Sequence, residues 1–552
     1  MDQLKPTAVN SSPLTPLTFL ERAATVYGDC PSIIYNSTTY TWSQTRRRCL
    51  QAASAISSLG ISPGQVVSIV APNIPAIYES HYAIPMAGAV LNTINTRLDA
   101  ATVSVLLRHS ESHLVLVDHQ SRKLVLDALS LFPPNSPKPL LVLITEEGVY
   151  DKVDLGPFID DYESLLSKGN PEFEWIRPNN EWDPMVLNYT SGTTSEPKGV
   201  VHCHRGTYLM AMDTINDWPL PKQSVYLWTL PMFHSNGWSF SWATAAVGAT
   251  NVCIRKPDPV TVFSAIERHG VTHMCGAPVI LNMLSSTPNV KPLTDNVHIL
   301  TAGAPPPAPI LLRTESLGFS VSHGYGLTET GGVVVSCTWK KDWNRLPATE
   351  QARLKARQGV RTPGLTAVDV IDPMTKKSVK HDGVTRGEIV MRGGSIMLGY
   401  LKDPEATAKN MEGGWFKTGD VGVIHPDGYL EIKDRLKDVI ISGGENINSI
   451  EVESVLYTNK VVNEAAVVAR PDEFWGETPI AFVSLKEGVE ERPTEKEVVE
   501  YCRQRLPHYM APKAVLFKDE LPKTSTGKIQ KYLLREMAVA MGPIQRTPVC
   551  SS

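Results

Sequence analysis

Residues 190–199 combine the residue types that hold phosphate. They read Thr-Ser-Gly-Thr-Thr-Ser-Glu-Pro-Lys-Gly. Hydroxyl donors, backbone N–H groups and one ammonium can surround a polyphosphate, and the glycines let the chain approach it closely. The ordinary nucleotide loop, G-x-x-x-x-G-K-[ST], has a different order, because here Lys198 lies between Pro197 and Gly199. The tract predicts a phosphate-binding loop of another kind, although a plain surface turn would have a similar composition.

Four further motifs follow along the chain and carry complementary chemistry. Residues 324–329 place an aromatic ring between two glycines and end in a carboxylate, and residues 415–420 end in another carboxylate. Residues 434–438 supply an arginine and a lysine, and residues 522–528 end in a lysine. A flat ring suits stacking on a base, and a carboxylate with phosphate oxygens suits Mg²⁺. Taken singly, each of these side chains is equally compatible with a solvated surface position or a turn.

In this order the five motifs resemble those of the adenylate-forming superfamily, which includes acyl-CoA synthetases, luciferases and the adenylation modules of peptide synthetases. The resemblance extends from about residue 18 to about residue 537. It implies ATP, Mg²⁺ and CoA as cofactor and co-substrates, and a carboxylic acid as the molecule activated. The implied reaction has two steps, since the acid and ATP first give acyl-AMP and pyrophosphate, and CoA then gives acyl-CoA and AMP.

The resemblance assigns the nucleotide contacts residue by residue. The expected ATP and AMP contacts are Thr190, Ser191, Gly192, Thr193, Thr194, Lys198, Gly303, Ala304, Pro305, Gly324, Tyr325, Gly326, Thr328, Asp420, Arg435 and Lys528. The implied catalytic residues are Thr190, His234, Glu329 and Lys528. In this assignment Tyr325 stacks on adenine, with a ring face that the flanking glycines leave open. Glu329 is the expected magnesium ligand, and Asp420 takes the ribose hydroxyls.

A second group of residues is expected around the acid. The expected acyl pocket consists of Phe233, His234, Asn236, Trp238, Gly276, Gly303 and Gly331. Bulky rings would shorten this pocket, and these segments offer no evident partner for a polar tail, so a small apolar acid is favoured. Gly331 and Gly332 leave the floor of the pocket undefined. A core aromatic cluster around one satisfied histidine is the structural alternative.

Similarity outside the five motifs also indicates which acids are activated. Residues 236–238 and 470–477 resemble the plant acyl-activating enzyme group, which serves short and medium, often branched, aliphatic acids. A related group that activates benzoate or cinnamate is the main alternative. An adenylation enzyme with an acceptor other than CoA is a further one, although no carrier domain follows the last motif. A nucleotide-binding protein without catalysis is disfavoured by the joint presence of Glu329, Asp420 and Lys528.

The apolar pattern predicts an α/β fold with two domains. Alternating strands and helices, such as residues 66–70 and 46–59, predict a large N-terminal ATP- and acyl-binding domain over residues 1–434. Its segment from about 362 to 433 is predicted to be β-rich. Residues 435–552 form the expected small α+β domain. The resemblance implies that this domain is a mobile lid with its hinge at Lys437. It also implies that Gly443 and Gly444 line a CoA tunnel.

Composition agrees with an ordinary globular enzyme and limits the partners. The chain has 552 residues and a net charge of −4, which gives no reason to expect nucleic acid. Residues 46–48, the one dense basic run, are interpreted as a solvated helix face. No apolar stretch reaches membrane-spanning length, and the chain ends without a peroxisomal tripeptide, so a cytoplasmic location is expected. Small molecules are therefore the expected partners.

Overall fold

The computed structural model describes Lys5, Thr7 and residues 9–146, 155–190, 197–489, 491–524 and 527–543. A large N-terminal part contains three sheets with helices, and a small C-terminal part contains one sheet with three described helices. The predicted fold class is thereby confirmed. The limits of the two domains remain a prediction, since strand and helix bounds do not define them.

One N-terminal sheet has eight strands. In spatial order they are Gly399–Tyr400, Lys198–Cys203, Pro184–Thr190, Val90–Thr93, Val66–Val70, Leu114–Asp118, Leu140–Ile144 and Asp160–Asp161. Every pair is parallel except the two that involve Lys198–Cys203. The antiparallel pair Pro184–Thr190 and Lys198–Cys203 is joined by the predicted phosphate loop, so this hairpin fixes where the loop begins and ends.

The second N-terminal sheet has nine strands. In spatial order they are Val360–Arg361, Val335–Ser336, Phe319–Tyr325, Val297–Thr301, His273–Gly276, Val225–Trp228, Thr250–Cys253, Pro31–Tyr35 and Thr38–Thr41. The central strands are parallel. Three neighbouring strands end at Gly276, Thr301 and Tyr325, and the predicted site segments follow directly. Carboxyl ends of neighbouring parallel strands share one edge, which is where open α/β sheets hold ligands.

Helices cover these sheets and separate them. The N-terminal α-helices of eight or more residues are Thr18–Val26, Trp42–Ser58, Pro75–Met86, Ala100–His109, Arg122–Ser130, His204–Asp217, Phe240–Val247, Pro259–His269, Pro278–Ser285, Ala308–Ser316 and Ala348–Lys355. Trp42–Ser58 begins with a reciprocal capping box between Thr41 and Gln44, which satisfies two free N–H groups at the helix start. The largest core combines side chains from both sheets and from the helices between them, and includes the fully buried Tyr78, Trp228 and Trp242.

The basic run at residues 46–48 departs from its prediction. The guanidinium of Arg48 donates to the carboxylate of Glu79, with Nε 2.5 Å from Oε1, and Glu79 is 0% exposed. Arg48 also donates to Glu163 and lies 4.5 Å from the ring centroid of Tyr40. The interpretation as a solvated face is therefore wrong for Arg48, because a buried carboxylate requires a cation beside it.

A third sheet lies within the segment predicted to be β-rich. Its four antiparallel strands are, in spatial order, Ala367–Ile371, Gly387–Arg392, Phe416–Ile424 and Leu430–Arg435. The short helix Pro404–Asn410 lies between the second and third of these strands in sequence. The last two strands place Asp420 directly opposite Arg435, so one cross-strand pair unites two of the predicted motifs.

The C-terminal part is a sheet with helices packed against it. The strands are Glu445–Ile447, Ile440–Ser442, Gly476–Leu485, Val462–Asp472 and Ala514–Phe517, and the last pairs in parallel with Gly476–Leu485. The helices are Ser449–Tyr457, Glu495–Arg503 and Lys531–Ala540. The last helix has no counterpart among the predicted elements. Across the described residues, no helix is both long and apolar enough to cross a membrane.

Candidate active site

The described ends of the phosphate loop lie side by side. Thr190 closes one strand, Lys198 opens the next, and the two residues pair across the antiparallel ladder. The ammonium of Lys198 lies 5.0 Å from the centroid of the Tyr400 ring. Residues 191–196 of the predicted loop lie outside the described residues, and they include four predicted nucleotide contacts: Ser191, Gly192, Thr193 and Thr194. The hairpin thus holds Lys198 at the mouth of the loop.

Tyr400 connects the lysine of this loop to the carboxylate of Glu329. Its hydroxyl donates to Oε1 of Glu329 at 2.9 Å, and the Glu329 carbonyl accepts from Met397 N at 2.8 Å. Burial raises the pKa of Glu329, and the hydrogen bond from Tyr400 and the charge of Lys198 oppose that shift. Tyr400 belongs to none of the motifs, and sequence reasoning missed it.

The donor set at Glu329 fits magnesium held largely by a nucleotide. Within the described residues, no group of three or more His, Cys, Asp or Glu side chains forms a metal cage. Mg²⁺ commonly takes one or two carboxylates and completes its shell with substrate phosphates and water. A single carboxylate near the phosphate loop suits that pattern.

Tyr325, Asp420 and Arg435 form one polar group at the edge of the third sheet. The Tyr325 hydroxyl donates to Oδ2 of Asp420 at 2.5 Å, and Nε of Arg435 lies 3.5 Å from Oδ1. The explanation given above for the flanking glycines is wrong. A Cβ on Gly324 would lie 2.4 Å from the Val333 side chain, and one on Gly326 would lie 1.9 Å from the Gly332 carbonyl. Side chains at these two positions would collide with the segment that follows, so the glycines make room for the chain itself.

Lys528 reaches this group from the C-terminal part. A Cβ on Gly303 would lie 2.9 Å from Cε of Lys528, so the lysine stem passes directly over that glycine. Burial and the charge of Arg435 lower the pKa of Lys528 to about 8, against the opposing charges of Asp420 and Glu329. Gly527 has φ +79°, and its Cβ position is 2.2 Å from the Val279 side chain. Only glycine fits so close beneath the neighbouring helix Pro278–Ser285.

The remaining predicted nucleotide contacts lie beside these groups. Ala304 and Pro305 follow Gly303 and precede the helix Ala308–Ser316. Thr328 directly precedes Glu329 in a short 3₁₀ turn, and its carbonyl faces Nε2 of His202 at 2.8 Å. The structure therefore brings together the described members of all five motifs.

The segment after His234 has an unusual backbone. Five consecutive residues, Ser235 to Ser239, have positive φ values of 43°, 45°, 58°, 52° and 67°. Left-handed conformations are costly for residues other than glycine and persist where surrounding structure enforces them. Here Nδ2 of Asn188 donates to Oδ1 of Asn236 at 2.5 Å, and the Ser239 hydroxyl donates to the Gly331 carbonyl at 2.9 Å. This left-handed segment is thus tied to both neighbouring walls.

His234, at the start of that segment, carries no charge near neutral pH. Burial lowers the pKa of His234 to about 3, and the positive charge of Lys528 contributes in the same direction. The effect of Lys528 also indicates that the two side chains lie in one electrostatic environment. A neutral imidazole and an ammonium are therefore available at the same place.

The predicted acyl pocket is divided between two small cavities. The first is lined by Val186, His202, Gly206, Thr207, Asn236, Ser239, Trp242 and Gly331. The second is lined by Thr214, Asp217, Trp218, Trp238, Phe240, Leu300 and Val333. Of the seven predicted pocket residues, Asn236 and Gly331 line the first and Trp238 the second, whereas Phe233, His234, Gly276 and Gly303 line neither.

The expectation that the acyl pocket offers no partner for a polar tail is wrong for the first cavity. His202, Thr207, Asn236 and Ser239 place polar side chains in its wall, so partners for a polar group are present. Sequence reasoning missed His202, Thr207 and Ser239 as pocket residues. His202 follows the phosphate loop closely, but its place in the wall depends on the pairing of its strand with Val186. No local pattern carries that information.

Comparison with known proteins agrees with this geometry. Residues 20–401 match the model for the AMP-binding enzyme, and residues 451–528 match the AMP-binding enzyme C-terminal domain. The chain belongs to the AMP-binding enzyme family. Among relatives in this family, the 2-methylpropanoate–CoA ligase CCL4 of Humulus lupulus is 65% identical over 98% of each chain. The probable acyl-activating enzyme 5 of Arabidopsis thaliana, described as peroxisomal, is 63% identical over 98% of this chain and 99% of that one.

Solved structures of AMP-binding enzymes share the fold. The anthranilate CoA ligase AuaEII superposes with a TM-score of 0.83 at 23% identity, over 97% of this chain and 100% of that one. The benzoate CoA ligase of Burkholderia xenovorans LB400 gives 0.81 at 24% identity, over 94% and 99%. The family prediction and the enzyme class predicted with it, an acid–thiol ligase, are confirmed by the close relatives.

Proposed function

We propose that the protein is an ATP-dependent carboxylic acid:CoA ligase that acts on short, branched aliphatic acids. It forms acyl-AMP and pyrophosphate, and then acyl-CoA and AMP. The observation that carries this proposal is the position of Lys528, which reaches over Gly303 and shares its environment with Glu329, Asp420 and Arg435. A buried ammonium at this point can lie between two anions, the acid and the α-phosphate.

The first half-reaction joins two anionic reactants, so its barrier is largely electrostatic. Lys528 bridges the substrate carboxylate and the α-phosphate, while Thr190 and Lys198 hold the phosphates that leave as pyrophosphate. Glu329 holds Mg²⁺, which neutralises phosphate charge when bound. Tyr325, Asp420 and Arg435 position the adenosine. Neutral His234 contributes a hydrogen bond at the acid without adding charge there.

The second half-reaction requires CoA to reach the acyl carbonyl. In the closed arrangement the Lys528 loop lies on Val279 and above Gly303, which blocks that approach. Rotation about Lys437, in the turn that follows the strand Leu430–Arg435, removes the loop. It also presents the hairpin Ile440–Ser442 and Glu445–Ile447, whose turn residues Gly443 and Gly444 have φ +60° and +88°. Their lack of side chains leaves space for the pantetheine arm.

A close relative supports a small acid. The relative at 65% identity is named a 2-methylpropanoate ligase. Benzoate or cinnamate remains the alternative acid class, because flat rings also fit apolar slots. A non-CoA acceptor is the weaker alternative.

The acid class is tested with purified enzyme, Mg²⁺, ATP, CoA and a panel from acetate through branched acids, octanoate, benzoate and cinnamates. AMP, pyrophosphate and acyl-CoA are measured for each acid. We expect the highest kcat/KM with branched acids of short chain. Highest kcat/KM with benzoate would move the assignment to aromatic acids, and pyrophosphate without acyl-CoA would indicate another acceptor.

The role of Lys528 is tested by separating the two half-reactions. We expect Lys528→Ala to abolish acid-dependent pyrophosphate release and to retain acyl-CoA formation from supplied acyl-AMP. Lys518→Ala, an exposed lysine in the same part of the chain, is the matched control and should retain both activities. Loss of both half-reactions in a folded Lys528→Ala variant would contradict this division.

The compartment is a separate proposal. Cytoplasm is kept from the sequence prediction, and the peroxisome is the competing location because a relative at 63% identity is described as peroxisomal. A fluorescent fusion at the N-terminus, which leaves the C-terminal residues free, distinguishes the two by diffuse or punctate signal.

A further inference from the structure

His202 lies in the wall of the first cavity, beneath the segment that carries Glu329. It is 3% exposed, on the strand Lys198–Cys203, and pairs with Val186, which lines the same cavity. Its Nε2 donates to the Thr328 carbonyl, 2.8 Å away. A carbonyl only accepts, so this contact fixes the proton on Nε2 and with it the orientation of the ring. The ring is therefore a rigid part of the wall.

The ring edge lies at van der Waals distance from the point where a side chain at position 331 would begin. A Cβ on Gly331 would lie 3.4 Å from Cε1 and 3.6 Å from Nδ1 of His202. Gly331 has φ +73°, and its carbonyl accepts from the Ser239 hydroxyl, so its backbone cannot move away easily. The floor that Gly331 and Gly332 leave undefined in sequence is thus closed by a residue from another strand.

The same cavity also contains a polar group that lacks a partner. Asn236 is 2% exposed, and its Oδ1 accepts from Asn188. Among the residues that the structure describes, none accepts a hydrogen bond from Nδ2 of Asn236. A buried donor without an acceptor is unfavourable and indicates a group supplied from outside, such as an oxygen of a bound acid. Asn236 also follows His234 by two residues, so we assign this cavity, and not the second, to the acid.

We propose that His202 forms the floor of the acyl cavity and limits the length of the acid that the enzyme accepts. This inference rests on the proposed function, in which the cavity holds the acyl chain. One additional methylene that a pocket cannot accommodate costs about 10- to 200-fold in selectivity, so a rigid floor accounts for a preference for short acids. The His202 ring limits the length of the acid by its shape, and the hydrogen bond to Thr328 holds the ring in its orientation.

Two substitutions separate shape from hydrogen bonding. His202→Gln places an amide nitrogen near the Nε2 position, so the contact with Thr328 is kept while the ring edge below Gly331 is removed. His202→Phe keeps a ring and removes the donor. His508→Gln, at an exposed histidine of the C-terminal part, is the control. Melting temperatures verify that each variant is folded.

Binding is measured by titration calorimetry with two stable analogues of the adenylate, isobutyl-AMP and hexyl-AMP, and kcat/KM is measured for 2-methylpropanoate and hexanoate. We expect the wild type and His508→Gln to prefer the short analogue. His202→Gln should reduce that preference by about tenfold or more, the effect of at least one methylene. His202→Phe should keep the preference for the short analogue while weakening the binding of both analogues.

An unchanged ratio of the two affinities in His202→Gln would overturn the inference, because His202 would then support the fold without limiting length. A wild type that binds neither analogue would overturn both the inference and the proposed function. A wild type that binds the short analogue preferentially but converts no acid would contradict the proposed function alone. In that case, the affinities of the two His202 variants for the analogues still test whether His202 forms the floor of the cavity.

Discussion

In the proposed mechanism, the protonation state of Lys528 governs the first half-reaction. Burial lowers the pKa of its ammonium to about 8, the charge of Arg435 acts in the same direction, and Asp420 and Glu329 oppose both. A lysine is charged below its pKa and neutral above it. The bridging role requires the charged form, so the activity depends on a pH range close to neutrality.

We therefore expect kcat/KM for adenylate formation to be constant below about pH 7 and to fall as pH rises through about 8. The measurement is pyrophosphate exchange against pH. Lys528→Arg, whose guanidinium stays charged, should lose this alkaline decrease while reacting more slowly. A wild-type profile that remains flat well above pH 8 would show that another group limits the rate.

Tyr400 is a positioning residue that the motifs do not include. Its hydroxyl donates to Glu329, and Lys198 lies over its ring. Tyr400→Phe removes this orienting contact without changing the shape of the site. We expect the half-saturating Mg²⁺ concentration at fixed ATP to rise about 10- to 100-fold, as is typical when a partner of a metal ligand is lost. Tyr509→Phe, at a 44% exposed tyrosine, should leave it unchanged. Equal Mg²⁺ dependence in both variants would contradict this role.

The hairpin Pro184–Thr190 and Lys198–Cys203 shows how one element serves two subsites. Its tip holds Thr190 and Lys198 at the phosphate loop, and the alternation of its strands sends Val186 and His202 to the acyl cavity. In the proposed mechanism, the same pair of strands therefore serves both phosphate binding and acid selection. Insertion of one residue in either strand would reverse the faces and disrupt both.

The helices Trp42–Ser58 and Pro75–Met86 meet at a buried ion pair. Arg48→Met leaves Glu79, at 0% exposure, without its cation. We expect a loss of about 3–5 kcal/mol in the stability of the N-terminal part, the usual cost of breaking a buried pair. Calorimetry should show a thermal transition lowered by several degrees. Arg47→Met, at the exposed neighbour, should stay within about 0.5 kcal/mol. Equal melting of the two variants would show that Glu79 is tolerated alone.

The two parts of the molecule meet in a closed arrangement. Lys528 lies over Gly303, Gly527 packs on Val279, and Nδ2 of Asn282 donates to Oδ1 of Asn463 at 3.3 Å. These contacts suit adenylate formation and exclude the proposed CoA approach.

Lys437→Pro tests the hinge. Proline fixes its own φ and restricts Leu436 before it, so the turn loses the freedom that rotation needs. We expect adenylate formation to continue and acyl-CoA formation from supplied acyl-AMP to fall by at least about tenfold, or about 1.4 kcal/mol of barrier. Lys437→Ala leaves the backbone free and should retain both half-reactions. Full thioester formation in Lys437→Pro would place the hinge elsewhere.

Local patterns predicted most of the elements. The strand Val66–Val70 has the limits expected from its apolar residues and turn signals, and the helix expected over 46–59 is observed as Trp42–Ser58. The helix Lys531–Ala540 was missed, because Leu534 and Ala538 are its only described residues that are fully covered, and two apolar positions make a weak period. Arg48 was misread because its partner Glu79 lies on another helix.

The sequence indicates the chemistry of the protein, because the residues of each motif lie within ten positions of one another. Their types alone then show whether the motif suits a phosphate, a base or a carboxylate. The cavity walls are different. Tyr400 lies 71 residues from Glu329, and His202 lies 126 residues from Thr328. Such contacts depend on strand pairing and sheet packing, which no local pattern encodes. Reaction type therefore follows from the sequence, whereas the floor of the acyl cavity and the closed position of Lys528 are properties of the folded molecule.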